Sequence, residues 1–297
     1  MDSTLEVLFI LCMIISFYYV TQMLRNRNDN IEEGFTQNAP FETKQDKDIY
    51  DEFYASVYDR LYKTKAQTKY DLMNVIKITQ PSENSVFLDI GSGTGKMVDR
   101  LEKKGFGAYG IDSSQAMIDY ASKKYPQSEF KCCNAKQTME FDPETFSHIL
   151  CTNFTIYEIP DKTLFFKNCF RWLKIGGYLI LHLVDKTKFD TIAPIAKKQL
   201  TYPDKNTRIL KSKVKTKDFV YTSEYSFLEN DRVKQIETFV NKISKVRHNE
   251  TVITMDSRES IIKIAKMNGF SVKGHVNYSD YNDDSHQYLY FFEKIDV

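Results

Sequence analysis

Cysteine is scarce and unpaired in this sequence: five residues, Cys12, Cys132, Cys133, Cys151 and Cys169, with no CxxC pair among them. An odd count with two adjacent thiols argues against both a disulfide framework and a zinc site, and it fits reduced thiols facing a reducing compartment. Net charge is almost absent as well, with 41 Lys and Arg against 40 Asp and Glu. That balance supplies no overall attraction to nucleic acid, and no basic cluster of nucleic-acid scale occurs. Glycine (11) and proline (7) are sparse, and no internal repeat is visible. Tyr, Phe, Lys, Asn and Ile are plentiful instead. A length of 297 residues suffices for one large α/β domain with an appendage and a sizeable core.

One long apolar run stands out, Leu5 to Leu24, broken by Glu6, Ser16, Thr21 and Gln22. At ~1.5 Å per residue a helix of this length crosses the ~30 Å hydrocarbon layer. Residues 1–25 are therefore expected to form a transmembrane anchor, with Tyr18 and Tyr19 in the interface belt. Asp2 and Glu6 lie on one side, Arg25 and Arg27 on the other, which predicts a single-pass protein whose C-terminal side faces the cytoplasm. A cleaved signal peptide would want a basic start and small residues at its end, and neither is present. A buried core helix is the remaining alternative. Residues 26–45 read as a polar linker. Asn-x-Ser/Thr triplets at Asn153, Asn249 and Asn277 matter only if the domain faces outward.

From residue 46 the apolar pattern predicts an α/β fold. Ile49 to Ile78 has helical spacing and many aromatics. Strands are expected at Ser85–Ile90, Ala108–Ile111, Glu129–Cys133, Phe146–Asn153 and Tyr178–Val184, with helices between them at Lys96–Lys104, Ser114–Lys124 and Lys162–Leu173. This alternation means a doubly wound, mostly parallel sheet of Rossmann-like type, helices on both faces. Residues 205–255 then switch to alternating, β-rich segments with Asn230-Asp231 as a hairpin turn, an antiparallel insertion after strand five. A helix from Asp256-Ser257 to Met267 and strands at Phe270–Val276 and Gln287–Lys294 close the domain.

The chemistry centres on Leu88-Asp89-Ile90-Gly91-Ser92-Gly93-Thr94-Gly95, between a strand and a helix. Glycines let a backbone turn sharply beside a ligand, and the following helix start offers oriented N–H groups. The next strand ends at Asp112, where nucleotide-binding sheets carry an acid for ribose hydroxyls. The spacing is G-x-G-x-G, with the third glycine one place earlier than in the dinucleotide fingerprint, and Asp89 stands where that fingerprint prefers an apolar residue. The loop resembles motif I of the class I S-adenosylmethionine-dependent methyltransferases.

The resemblance runs from about Tyr50 to Val184 and implies S-adenosylmethionine as the cofactor. It implies contacts from Asp89, Gly91, Ser92, Gly93 and Gly95 of the loop, and from Asp112 to the ribose. Ser113, Met117, Asn134 and Ala135 fall where the family surrounds adenine, although Asn134 replaces a frequent acid. Asn153 to Glu158 follows the fourth strand, where the family lines the methyl-transfer site, and Tyr157 lies within it. Trp172-Leu173-Lys174-Ile175-Gly176-Gly177 resembles the family's run into strand five. The family closes its pocket with an N-terminal helix, for which Tyr50, Tyr54 and Tyr58 are candidates; an aromatic core stripe is the competing reading. His182 ends strand five and is a candidate proton acceptor, or a hydrogen-bonded core histidine. No metal is implied.

Asn153-Phe154-Thr155-Ile156 lacks the prolines of amino-directed DNA methyltransferases, and Cys151 lacks the Pro-Cys of cytosine C5 enzymes, so no nucleic-acid acceptor is expected. A small-molecule, lipid or protein acceptor remains. The insertion resembles elements that small-molecule N-methyltransferases use as a lid or a homodimer contact. Lys211, Lys213, Lys215 and Lys217 alternate along it, as an edge-protecting face or one directed at an anionic membrane or substrate. Two other functions stay open: a membrane-tethered scaffold without turnover, and an NAD-dependent oxidoreductase, which the glycine spacing disfavours.

Overall fold

A computed structural model describes residues 13, 15–17, 40–62, 65–135, 139–197 and 208–296. Residues 1–38 and 39–297 are separate units. The expected anchor lies outside the described residues except at Met13 and Ile15–Phe17, whose backbone is helical. Among the described residues no helix is long and apolar enough to cross a membrane.

The body opens with β1 (Phe41–Gln45), a 3-10 turn at Asp46–Ile49, α1 (Glu52–Leu61) and α2 (Lys65–Thr79). Strand and helix then alternate: β2 (Val86–Ile90), α3 (Lys96–Glu102), β3 (Gly107–Asp112), α4 (Gln115–Lys124), β4 (Glu129–Cys132) and β5 (Phe146–Cys151). The short α5 (Thr155–Glu158), α6 (Lys162–Trp172), β6 (Leu173–Val184) and α7 (Pro194–Lys197) follow. Next come β7 (Lys211–Lys215), β8 (Phe219–Phe227), β9 (Arg232–Asn241) and β10 (Val246–Thr254). The chain closes with α8 (Arg258–Met267), β11 (Phe270–Tyr278), α9 (Ser279–Asn282) and β12 (Asp284–Lys294).

Seven strands form the main sheet, in the order β11-β12-β6-β5-β2-β3-β4. β4, β3, β2, β5 and β6 run parallel, and β12 lies antiparallel to both β6 and β11. Side chains alternate between two cores. Leu88 and Ile90 of β2 and Leu179, Leu181 and Leu183 of β6 join Phe165, Phe166 and Trp172 of α6 and Ile261 of α8. Phe87 and Ile180 face the opposite way, toward Leu72 and Val75 of α2 and Met97 and Leu101 of α3. Helix starts follow their caps: Ser114, Asp161 and Ser257 each accept a backbone N–H three residues on.

The insertion supplies four strands, β7 to β10, of a second sheet whose order is β1-β10-β9-β8-β7. Asn230 and Asp231 both take left-handed backbone (φ 56° and 57°), the geometry of a two-residue hairpin turn. The fifth strand corrects the expected linker: its last five residues, Phe41–Gln45, pair in parallel with Val246–Glu250. Their composition is polar because β1 is an edge strand, exposed on alternate residues.

One buried carboxylate ties α1 to this sheet. Glu237 of β9, 3% exposed, accepts hydrogen bonds from Tyr54 (2.8 Å), Tyr62 (2.6 Å) and Tyr221 (2.7 Å). Tyr54 therefore belongs to the core, as the aromatic stripe suggested. A hydrogen bond to a charged group contributes about 2 kcal/mol. Tyr54→Phe is expected to lower unfolding free energy by roughly that amount in urea titrations; an unchanged midpoint would mean the three phenols add no net stability.

Candidate active site

A cavity of about 420 Å³ opens beyond the carboxyl ends of β2, β3 and β5, the place where open α/β sheets bind ligands. Its floor is the glycine loop. The N–H groups of Gly91 and Ser92 both donate to the Ile111 carbonyl (2.8 and 2.9 Å), which fixes the loop to β3. Gly91 has φ +70°, and a Cβ there would lie 2.5 Å from Cγ2 of Thr155, so the loop touches α5 at a distance only glycine allows. Asp112 braces the far side. Its Oδ2 accepts from the N–H of Gly93 and its Oδ1 from the N–H of Ser114, both at 2.9 Å. Each oxygen keeps acceptor capacity for a further donor.

A roof comes from the N-terminal elements. Asp59 on α1 accepts from the Thr94 hydroxyl (2.6 Å) and from Lys124 (2.8 Å), with Lys96 at 3.1 Å. Burial raises the Asp59 carboxyl, but Lys124, Thr94 and Lys96 together hold it below the usual range. This clamp sets the neighbouring Tyr58 across the loop, 3.8 Å from where a Gly93 Cβ would stand. The Ser114 hydroxyl donates to the Tyr50 carbonyl (2.6 Å), which pins the start of the roof to α4.

The third wall follows β5. Asn153 (φ 53°) and Phe154 (φ 68°) are consecutive left-handed residues. Such backbone costs of order 1–3 kcal/mol each and gathers at functional sites. Here it turns the chain so that α5 crosses the sheet end and presents Glu158 to the cavity. Asn153 is steadied by Gln67, whose amide donates to its Oδ1 (2.8 Å).

Glu158 accepts a 2.7 Å hydrogen bond from the Tyr50 hydroxyl. It is open to the cavity yet surrounded by protein. This enclosure pushes its carboxyl up to about 7; the Tyr50 bond opposes the shift and the nearby Asp112 charge adds to it. Burial and Glu158 both raise the Tyr50 phenol, so Tyr50 stays protonated and donates. A carboxyl poised near neutrality in a pocket is suited to take a proton from a bound group.

Most of the residues that the sequence proposes meet here. Tyr58, Gly91, Gly93, Asp112, Ser113 and Met117 line the cavity, as do Asn134, Ala135, Asn153 and Tyr157. Four do not reach it. Asp89 is buried (1% exposed) one residue below the lining Ile90. Ser92 points away from the cavity, its hydroxyl oxygen 2.9 Å from where a Gly110 Cβ would stand. Gly95 starts α3 at φ +77°, where a Cβ would strike the Phe130 ring at 2.5 Å, so this glycine serves packing.

His182 is the fourth, and as a candidate base it is corrected. It shares the Ile180 side of β6 and lies between the rings of Phe154 (4.7 Å) and Tyr278 (5.0 Å), 1% exposed. Burial pushes its imidazole down to about 4 against Gln287 and Asp284, leaving it neutral. Tyr157 is corrected in role as well: its hydroxyl is engaged by the Val184 N–H (2.9 Å), and burial raises its pKa.

Sequence reasoning included Glu158 in the run after the fourth strand without singling it out, and it missed the wall formed by Thr251–Thr254 of β10. β1 pairs with β10 only as far as Glu250, which leaves the next residues an open edge toward the cavity.

Residues 88–181 match the family model described as Methyltransferase domain. Over this stretch the chain is similar to that domain. A putative methyltransferase of Bacillus subtilis, YqeM, is 30% identical over 147 residues, 48% of this chain and 58% of that protein. The chain spans about half the length of the curated relatives it matches. Among solved structures, an S-adenosylmethionine-dependent methyltransferase from Clostridium acetobutylicum superposes with a TM-score of 0.63 at 19% identity, covering 82% of this chain and 98% of that one. SAM-bound CalS10, an amino pentose methyltransferase from Micromonospora echinaspora, gives 0.57 at 16% identity, over 81% and 96%. These likenesses are of fold.

Proposed function

We propose that the chain transfers a methyl group from S-adenosylmethionine to a small-molecule, lipid or protein acceptor. The observation that carries this is the cavity itself, with Asp112 braced on the glycine loop at one side and Glu158 at another. A volume of about 420 Å³ falls in the range of small-ligand sites. The residues fit the cofactor. Asp112 would hold ribose hydroxyls, Met117 and Ala135 would flank adenine with Asn134 at its edge, and the loop at Gly91 and Gly93 admits close backbone approach. CalS10, with SAM bound, supports the same cofactor.

Bound there, S-adenosylmethionine supplies an electrophilic methyl group on a sulfonium sulfur. The protein's own part is to position and to move a proton. Tyr58 and the Asp59 clamp exclude water from above the loop. Ile159, Pro160 and Ile253 give the acceptor an apolar surface. Glu158 takes the acceptor's proton at a carboxylate oxygen while Tyr50 holds the carboxylate in place. Alignment of acceptor and methyl group contributes much of the rate.

Residues 1–25 are read as a single-pass anchor with the domain on the cytoplasmic side. The apolar run and the flanking Arg25 and Arg27 support this reading. The test of cofactor choice is calorimetric titration of the full chain in detergent micelles with S-adenosylmethionine and, separately, with NAD. Micromolar binding of the former alone is expected. Binding of NAD alone would replace the proposal with an oxidoreductase, and binding of neither by folded protein would replace it with a scaffold.

A further inference from the structure

The outer face of the inserted sheet has two ends of different chemistry. Registry aligns Gln45, Glu250, Ile236, Glu224 and Lys211 in one row across the five strands. At that end acids are matched to lysines, Lys211 to Glu224 and Lys234 to Glu250, both at 2.7 Å. Four residues along, the row reads Phe41, Val246, Val240, Val220 and Lys215. Here the first four side chains are apolar, Phe41 is 56% exposed, and its ring stacks on His248.

Two turns extend this second end. The β9–β10 turn presents Ile243, 72% exposed, beside the exposed Lys242. Asn241 holds the turn firmly, its Oδ1 accepting from the N–H of Ile243 (3.1 Å) and Lys245 (2.9 Å). The β7–β8 turn carries Lys217, and β7 adds Lys213 and Lys215, all exposed. Among the described residues none of Lys213, Lys215, Lys217 or Lys242 is ion-paired, and the nearby Asp218 is taken by Arg60 at 2.8 Å. Edge protection accounts for lysines on β7. It does not account for Lys242, Ile243 and Phe41, which lie on other strands and turns.

The chain enters the domain at this same end, where the N–H of Val246 donates to the Pro40 carbonyl (2.9 Å). In sequence, residues 25–39 alone separate Pro40 from the apolar run Leu5–Leu24. We propose that the end of the inserted sheet formed by Phe41, Ile243 and the lysines 213, 215, 217 and 242 docks on the anionic leaflet of a bilayer. Ile243 and Phe41 enter the headgroup layer, and the lysines meet lipid phosphates and carboxylates. Each lysine within a Debye length of such a surface strengthens contact about fivefold. The nearness of a bilayer rests on the anchor reading; the chemistry of the face does not.

The test uses the full chain with Ile243→Trp. Trp172, the one native tryptophan, is fully buried and gives a constant background. The protein is mixed with phosphatidylcholine vesicles, with or without phosphatidylserine, and both sedimentation and emission are measured. The expected result is sedimentation with both, but a blue shift and quenching by brominated acyl chains only where phosphatidylserine is present. High salt, or Lys213→Glu with Lys215→Glu and Lys217→Glu, should abolish the shift without releasing the protein. Sedimentation with emission unchanged in both mixtures, or an equal shift in both, overturns the docking proposal while the anchor stands. A shift on anionic vesicles without sedimentation on neutral ones overturns the anchor and supports the docking face.

Discussion

Asp112→Ala is expected to weaken S-adenosylmethionine binding by about 10²–10⁴-fold, read by calorimetry. The side chain does two things at once. It accepts the Gly93 and Ser114 N–H groups, which sets the loop's distance from β3, and it turns its remaining acceptor capacity toward the cavity. Hydrogen bonds to a charged acceptor contribute ~1.5–3 kcal/mol each. Losing two to ribose hydroxyls costs roughly 3–6 kcal/mol, hence the predicted range. Asp112→Asn keeps one good acceptor oxygen and should fall between alanine and the native protein. The variant's thermal unfolding in the absence of ligand serves as the control. A native-like dissociation constant for Asp112→Ala would remove the ribose assignment and leave the carboxylate as a brace for the loop.

The placement of Asp112 beside the loop was legible because it depends on local order. A strand of period two, a glycine loop and a second strand ending in an acid are each read within a few residues, and the sheet then brings Gly93 and Asp112 together. The closing helix was legible for the same reason: Ser257 caps it and Gly269, at φ +85°, ends it. Phase within a long apolar strand was harder. Leu181, His182, Leu183 and Val184 gave no contrast from which to choose a side, and the choice fell to β12, Tyr278 and Phe154 from distant segments. β1 had no signal at all. Phe41-Glu42-Thr43-Lys44-Gln45 shows no apolar alternation, and its partner strand lies about 200 residues on. The basic, apolar end of the inserted sheet was half visible as alternating lysines; registry was needed to set them beside Phe41 and Ile243.

Glu158 is the candidate base that sequence could not single out, and its substitution is the most informative test of the proposed chemistry. It lies in a four-residue helix too short for a period, set by two left-handed residues that carry no glycine. Its partner Tyr50 is 108 residues away. Glu158→Gln keeps the shape and can still accept from Tyr50, but it takes no proton. Turnover is expected to fall by about 10²–10⁴-fold with any acceptor that must lose a proton, the usual contribution of a general base. The pH profile fixes the reason. Native activity should rise with pH through about 7, as the carboxyl ionises, and that limb should vanish in the variant. Tyr50→Phe removes a bond that lowers the carboxyl, so its limb should move to higher pH. Stability must follow the opposite course. A carboxyl raised above its ordinary 4.5 holds its proton more tightly in the folded state, so its contribution is present at acid pH and lost as pH rises through about 7. Glu158→Gln should therefore be no less stable than the native protein at pH 8. An inactive variant that is also unfolded at that pH would mean that Glu158 supports structure. A stable variant with native turnover would mean that the acceptor needs no base, and that positioning alone, by Tyr58, Asn153 and the β10 edge, carries the reaction.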